Sequence, residues 1–339
     1  MANTTGAVVF NPEELGKNFI KWRKELLTVP VDTLKATFNG CFSVHTGIRH
    51  KEKVGILMGD MQIGPYDPKY RDTRDLGIAE RELEVFLGNA VKGFDPNTAI
   101  QTIWNEYVAK GAQGAGIPFV KYVGAYLMGK VGENLAMHVW DGKRNGAGHD
   151  TVDLCDGIET IIDKEIKAGT IATSEKNLVK IDALTAENAE EVLKDFYWSA
   201  DRKLRNMNLD LHLTDTEYRA YCDAYQMNHG ALPYNNEYDK VYLEGSRGKC
   251  RLVVDNYNAD NFLKLTPSGN FIFGTNIAGE ETKLLIEKSL DSHFMYDYIA
   301  VMFAGYQVGR IEKEYILIGK TEAGINAAKG AGTQQGEGA

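Results

Sequence analysis

Asp260 to Thr275 reads DNFLKLTPSGNFIFGT, and the apolar run FMYDYIAVMFAGYQVG follows at Phe294 to Gly309. Leu263 and Leu265 alternate with Lys264, and Thr266-Pro267-Ser268-Gly269 supplies turn chemistry. Phe271 and Phe273 alternate on the far side, so this piece predicts a β-hairpin. The aromatic strand ends Gly274-Thr275-Asn276, an acidic start at Glu280 opens an amphipathic helix to Leu290, and residues 294–318 return as strands.

Outward from this segment, the same reading covers the chain. Residues 1–50 read as an arm: Pro12-Glu13-Glu14 starts a short helix through Trp22 to Leu27, and Pro30 ends it. Val54 to Ile63 is a Gly-interrupted strand, residues 64–77 are rich in turn formers and charge, and Leu83, Val85 and Leu87 alternate with Glu82 and Glu84. Together, residues 51–95 predict a long two-stranded hairpin with a broad charged tip. Such a hairpin is marginal alone and leaves two open edges, so it must lie on its own body or on a neighbouring subunit. A helix is predicted at Asn97–Lys110, a break at 111–116, and a longer helix over Ile117–Trp140 with Phe119, Val123, Tyr126, Leu127, Val131 and Leu135 on one face. From 151 to about 290 a compact α/β layer is expected. Its helix from Thr185 buries Ala189, Val192, Leu193, Phe196, Tyr197, Ala200 and Leu204, with acids early and Arg202, Lys203 and Arg205 late. Met207–Leu213 alternates as a strand, and Thr214-Asp215-Thr216-Glu217 is a capping box. Residues 323–339 read as a disordered tail.

Composition narrows the function classes. A chain of 339 residues can bury a sizeable core as one large domain or two smaller ones. No apolar run reaches the roughly 20 residues that span a bilayer, so no membrane partner is expected. The N-terminus lacks the basic start and apolar stretch of a secretory signal, which predicts a cytoplasmic origin. The net charge is −9 with no basic block, which argues against a dedicated nucleic-acid binder. Cys41, Cys155, Cys222 and Cys250 are scattered without a C-x-x-C pair and read as reduced, packed thiols.

Searches for chemistry return no catalytic, cofactor-binding or metal residues. Gly319-Lys320-Thr321 ends like a P-loop, but the position five residues before Gly319 is Glu314 rather than glycine. His45 and His50 stand in a loop-like stretch without zinc spacing, His212 falls on the polar face of its strand and reads as solvated, and His138 reads as a hydrogen-bonded packing residue. No G-x-S-x-G elbow accompanies any Cys or His. The pairs Glu190-Glu191 and Glu280-Glu281 fall in predicted helix first turns, where the dipole explains them. Gly111, Gly114 and Gly116 lack the dinucleotide-binding spacing.

The Thr-Pro-x-Gly-Asn turn, the aromatic strand ending Gly274-Thr275-Asn276 and the closing strand run resemble the final segment of major capsid proteins of tailed double-stranded DNA phages, the Hong Kong 97-type fold. Gly157-Ile158-Glu159-Thr160-Ile161-Ile162-Asp163 and the following AGTIATSEKNLVKID resemble the part of such capsids that leads into the axial domain. The resemblance implies an α+β fold with an N-terminal arm (1–50), an extended hairpin loop (51–95), a peripheral domain with spine helix (96–154), an axial domain (155–290), peripheral return strands (291–322) and a tail (323–339). It implies self-assembly through pentamers and hexamers into an icosahedral shell, built in the host bacterial cytoplasm and ending in the virion. Portal and scaffolding or decoration proteins are the implied partners. Packaged DNA would be enclosed without sequence-specific binding, and a negative subunit would keep it from sticking to the wall. Many relatives carry a long N-terminal scaffolding segment, whereas here the arm begins almost at Met1. Some relatives join subunits through Lys and Asn side chains; Lys51, Lys53 and Lys69 fall near the hairpin without marking such a link. Bacterial encapsulins share the fold, so a nanocompartment shell is the alternative, and a soluble α/β enzyme using a Cys/His site is a further one.

Overall fold

The computed structural model describes residues 12–38, 40–58, 64–69, 71, 77–95, 116–230, 242–276, 282–290 and 295–330. Helix α1 (Pro12–Thr37) continues through Pro30 rather than ending there. A proline inside a helix costs about 3 kcal/mol. Each fully buried large apolar side chain contributes about 1.5–3 kcal/mol, and Leu26, Leu27, Val31, Leu34 and Phe38 are all buried. Burial therefore wins. The stripe packs on helix α2 (Gly116–Met137). Gly132 lets the axes close: a Cβ there would lie 2.9 Å from both Pro30 Cα and Thr33 Cβ. The expected helical face of α2 is partly displaced, because Tyr126 is exposed while Met128, Leu135 and Ala136 are buried. The helix predicted at 97–110 lies outside the described residues, as does the glycine break up to residue 115.

Strand β1 (Phe42–Thr46), also from the expected arm, enters a five-stranded sheet. It pairs in parallel with β9 (Phe271–Thr275). β9 pairs antiparallel with the end of β11 (Tyr296–Val308), whose earlier residues pair with β4 (Phe86–Phe94) and β10 (Lys283–Lys288). β10 replaces the predicted helix at 280–290. Leu284 is fully buried, and the ladder from Lys283↔Val301 to Lys288↔Tyr296 gives the backbone its partners, so pairing overrides helical propensity.

The second sheet has the order β5-β12-β8-β6-β7, using β5 (Leu178–Lys180), β6 (Leu209–Leu213), β7 (Cys250–Val254), β8 (Phe262–Pro267) and β12 (Leu317–Lys320). The predicted β8–β9 hairpin is corrected here. Its two arms do not pair: β8 bonds β12 and β6, while β9 bonds β1 and β11. The Pro267–Asn270 turn hands the chain from one sheet to the other. Asn270 N–H donates to Pro267 O at 3.2 Å, and Gly269 N–H to Cys41 O at 2.8 Å. The chain therefore passes from the second sheet to the first near residue 270 and returns to the second with β12.

Helices α3 (Ile158–Ala168), α4 (Ala189–Ser199), α5 (Asp215–His229) and α6 (Glu322–Gly330) complete the body. α3 joins the core beneath α1 and β9, whereas α4 and α5 cover the second sheet. The capping box at Thr214 and Glu217 forms as expected, with Thr214 N–H donating to Glu217 Oε2 at 2.8 Å. Two expectations fail. α4 stops at Ser199, because Ala200 is extended and Asp201 caps a separate turn, Arg202–Arg205. The tail is helical through Gly330 with Ala328 buried.

Candidate functional site

The residues weighed for chemistry are dispersed or sealed. Cys41, Cys155, Cys222 and Cys250 are all buried, and none is in a disulfide among the described residues. Burial pushes the thiols of Cys41, Cys155 and Cys250 up to about 12, so none of these three is a nucleophile near neutrality. Lys320, from the P-loop-like triplet, ends β12 and pairs with Asp163 at 2.5 Å. His138 Nδ1 meets Asp141 Oδ1 at 3.0 Å, and His45 Nδ1 meets Glu52 at 3.5 Å. Glu190 is buried: burial alone would raise its carboxyl, but hydrogen bonds from Asn228, Lys194 and His229 outweigh it and hold the pKa down at about 2. Its partner in sequence, Glu191, is exposed. Glu280 and Glu281 lie outside the described residues. Among the described residues, no three His, Cys, Asp or Glu side chains converge as metal ligands would.

His212 departs from its expectation. It is fully buried between Trp140 and Phe271, with ring centroids 5.3 Å from each. Burial, then the nearby Lys264 cation, hold its pKa down at about 3. The alternation rule failed because both faces of β6 are covered. Beside it lies a closed charge network. Lys264 Nζ, 0% exposed, donates to Glu159 Oε1 at 2.5 Å and to Asn258 Oδ1 at 2.6 Å, and stands 4.4 Å from the Trp140 ring. Glu159 also accepts from Ala259 N–H at 3.0 Å, and Trp140 Nε1–H donates to Asp255. Burial pushes Lys264 down and Asp255 and Glu217 up. No substrate reaches groups so enclosed; the network bolts α3 to the second sheet.

What the body leaves open is the hairpin of β2 (Lys51–Met58) and β3 (Gly77–Glu84). These strands pair from Lys51↔Glu84 to Met58↔Gly77 and form a two-stranded sheet of their own. Cross-strand charges line it, with Lys53–Glu80 at 2.5 Å and Lys51–Glu82 at 3.4 Å. Away from the root, Ile78 is 67% exposed and Tyr66 93%. Of the lysines considered for cross-linking, Lys51 and Lys53 are in these pairs, and Lys69 is exposed near the tip. The return strand β4 belongs to the body sheet, so the free hairpin ends at Glu84 instead of residue 95.

The root is fixed in three ways. Leu83 and Val85 are buried with Ile48, Ile272 and Phe303. Arg81 Nη2 donates to Glu165 Oε1 at 2.6 Å and to Gln307 Oε1 at 3.2 Å, and Gln307 Nε2 donates to Glu82 O at 2.6 Å. Gly274 and Gly305 are register partners on β9 and β11. A Cβ on Gly305 would run into Glu84 O, and one on Gly274 would come within 2.9 Å of Val85 Cγ1. This glycine pair makes the flat seat on which the hairpin crosses the sheet. Sequence reasoning named Gly274 only as the end of its strand and gave neither glycine this role, although each interrupts an aromatic strand, which is the signal of close backbone approach.

No family model matches the chain, and no curated protein does. Solved structures do. A chain of the satellite phage P4 procapsid that includes the size determination (Sid) protein aligns at TM-score 0.52 and 10% identity, over 86% of this chain and 97% of that one. A capsid chain of the native GTA particle aligns at TM-score 0.55 and 12% identity, over 95% and 94%. One from the empty GTA particle aligns at TM-score 0.52 and 13% identity, over 85% and 96%. The likeness is one of fold: the chain has the α+β fold of phage capsid chains, as the resemblance around Asp260–Thr275 implied.

Proposed function

We propose that this chain is the subunit of an icosahedral shell that encloses a phage genome, assembled through five- and six-membered rings. The observation that carries the reading is the β2–β3 hairpin: a rigidly seated root and a ladder with open edges, standing off a body of capsid fold. Open strand edges are a liability unless another chain covers them. In this reading the first sheet with α1 and α2 is the peripheral layer, the second sheet with α4 and α5 the axial layer, and the hairpin reaches across a neighbouring subunit. Heterologous contacts of one chain close into rings, and rings tile a shell. The role is structural, the location the virion after assembly in the host cytoplasm. Portal and scaffolding or decoration proteins are further partners, and DNA is enclosed without sequence-specific contacts.

Negative-stain microscopy of the purified chain with light scattering tests this. Hollow uniform particles, or five- and six-fold rings, are expected. A monomer or dimer unchanged by concentration or by an added scaffolding partner overturns it.

A further inference from the structure

The break after α4 builds a cationic cavity of about 310 Å³. Trp198, 52% exposed, closes α4. The separate turn beyond it brings Arg202 and Arg205 to the cavity, and the tight loop before β7 brings Arg247 and Lys249. The Arg205 guanidinium lies 4.9 Å from the centre of the Trp198 ring, and its Nε is buried without a hydrogen-bond partner. Lys249 Nζ donates to Asn206 O at 2.8 Å. No carboxylate lines the cavity. Among the described residues, Arg202, Arg205 and Arg247 make no ion pair. A chain of net charge −9 thus concentrates unpaired cations at one spot.

The complementary feature is on the same layer. Glu187, Glu191 and Asp195 stand at i, i+4 and i+8, all exposed and without an ion pair among the described residues. Glu191 lies about 10 Å along the helix from Trp198 at its far end, and Glu187 precedes the helix, so these two do not reach the cavity of their own chain. A head-to-tail ring contact needs two different, mutually complementary patches on one chain. We infer that the cavity at the end of α4 receives the Glu187–Glu191–Asp195 stripe of a neighbouring copy of this chain. The inference rests on the shell reading and names one of its ring contacts. Guanidinium–carboxylate bonds are charge-assisted and orienting, which suits a contact repeated around a ring. An anionic nucleic-acid strand is the competing occupant, since cations beside an aromatic also suit that ligand.

The test uses the full chain in three charge-altered forms: R202E/R247E, E187K/E191K, and the quadruple variant that carries both pairs. Each is checked for folding by circular dichroism and thermal melting, then for particle yield. We expect each double variant to lose at least tenfold in yield and the quadruple variant to recover most of it. Should a reversed chain fail to fold, R202Q/R247Q replaces it, with a lower yield and a shallower salt dependence expected. Normal assembly of R202E/R247E, or a quadruple variant no better than the double, overturns the contact. So does binding of a single-stranded oligonucleotide that R202E/R247E loses while its particle yield is unchanged. No particles or rings from the unaltered chain overturn the shell reading itself, and the contact falls with it; that result appears before any variant is compared.

Discussion

Two single residues govern whether the hairpin can sit where it does. The Gly274–Gly305 pair leaves no room for a side chain beneath Glu84 and Val85. Gly305→Ala must push the hairpin root off the sheet, and overpacking of this kind costs about 1–3 kcal/mol. Chemical denaturation is expected to show that loss, and assembly should fail even where the subunit stays folded; an unchanged midpoint with normal particles would show that the seat is looser than the geometry requires. His212 gives a pH signature. Its folded pKa is about 3, against about 6.5 for a free histidine. A group depressed in this way contributes its stability in full above the unfolded value and loses it as pH falls toward the folded one. Stability should therefore drop by up to about 1.4 kcal/mol per pH unit below pH 6.5 on this account. Comparing denaturation at pH 7 and pH 5, His212→Leu should lose less than the unaltered chain; equal losses would mean another group carries the effect. The glycines carried a signal in the strands they interrupt, whereas His212 carried none. Strand alternation placed His212 outward because a sequence shows the period of a strand, not whether a second layer covers its other face.

At the scale of elements, the hairpin is separable. Gly55 and Glu80 are register partners, so joining them through a two-residue turn removes the outer ladder and keeps Arg81, Leu83 and Val85. The Lys53–Glu80 pair stays in place, and Tyr66 and Ile78, which leave with the tip, are exposed. The shortened chain should melt near the original temperature, yet light scattering should find no closed particles. Closed particles from it would remove the hairpin from the assembly argument. Local signals announced elements with their own caps and turns: the Thr214–Glu217 box and α2 formed where the pattern put them, and the charged hairpin formed with a shorter return arm. The failures share one cause. β10, the unpaired β8 and β9 arms and the uninterrupted α1 are each decided by another element, the neighbouring strand β11 in the first case and partners far along the chain in the others.

For the whole molecule, the decisive link is between the two sheets. The chain crosses from β8 to β9 through a four-residue turn, and the Lys264–Glu159 pair ties the second sheet to α3 in the first core. Sequence could not reveal this, since a lysine alternating with leucines reads as solvent-facing until the layer above it is known. A buried pair is costly to break, because removing one partner leaves a charge without compensation, about 3–5 kcal/mol. Lys264→Met is therefore expected to destabilise strongly. Lys264→Met/Glu159→Leu should cost less than the sum of the single changes, though it still orphans the Ala259 N–H that Glu159 accepts. Hydrogen exchange gives the readout that matters for a shell. In the unaltered chain the two sheets should exchange as one cooperative unit, and in Lys264→Met the second sheet should open first. Equal protection of both sheets in that variant would move the coupling from the buried pair to the Pro267–Asn270 turn. The Lys264–Glu159 pair, shielded from solvent, holds the two layers in register at this junction.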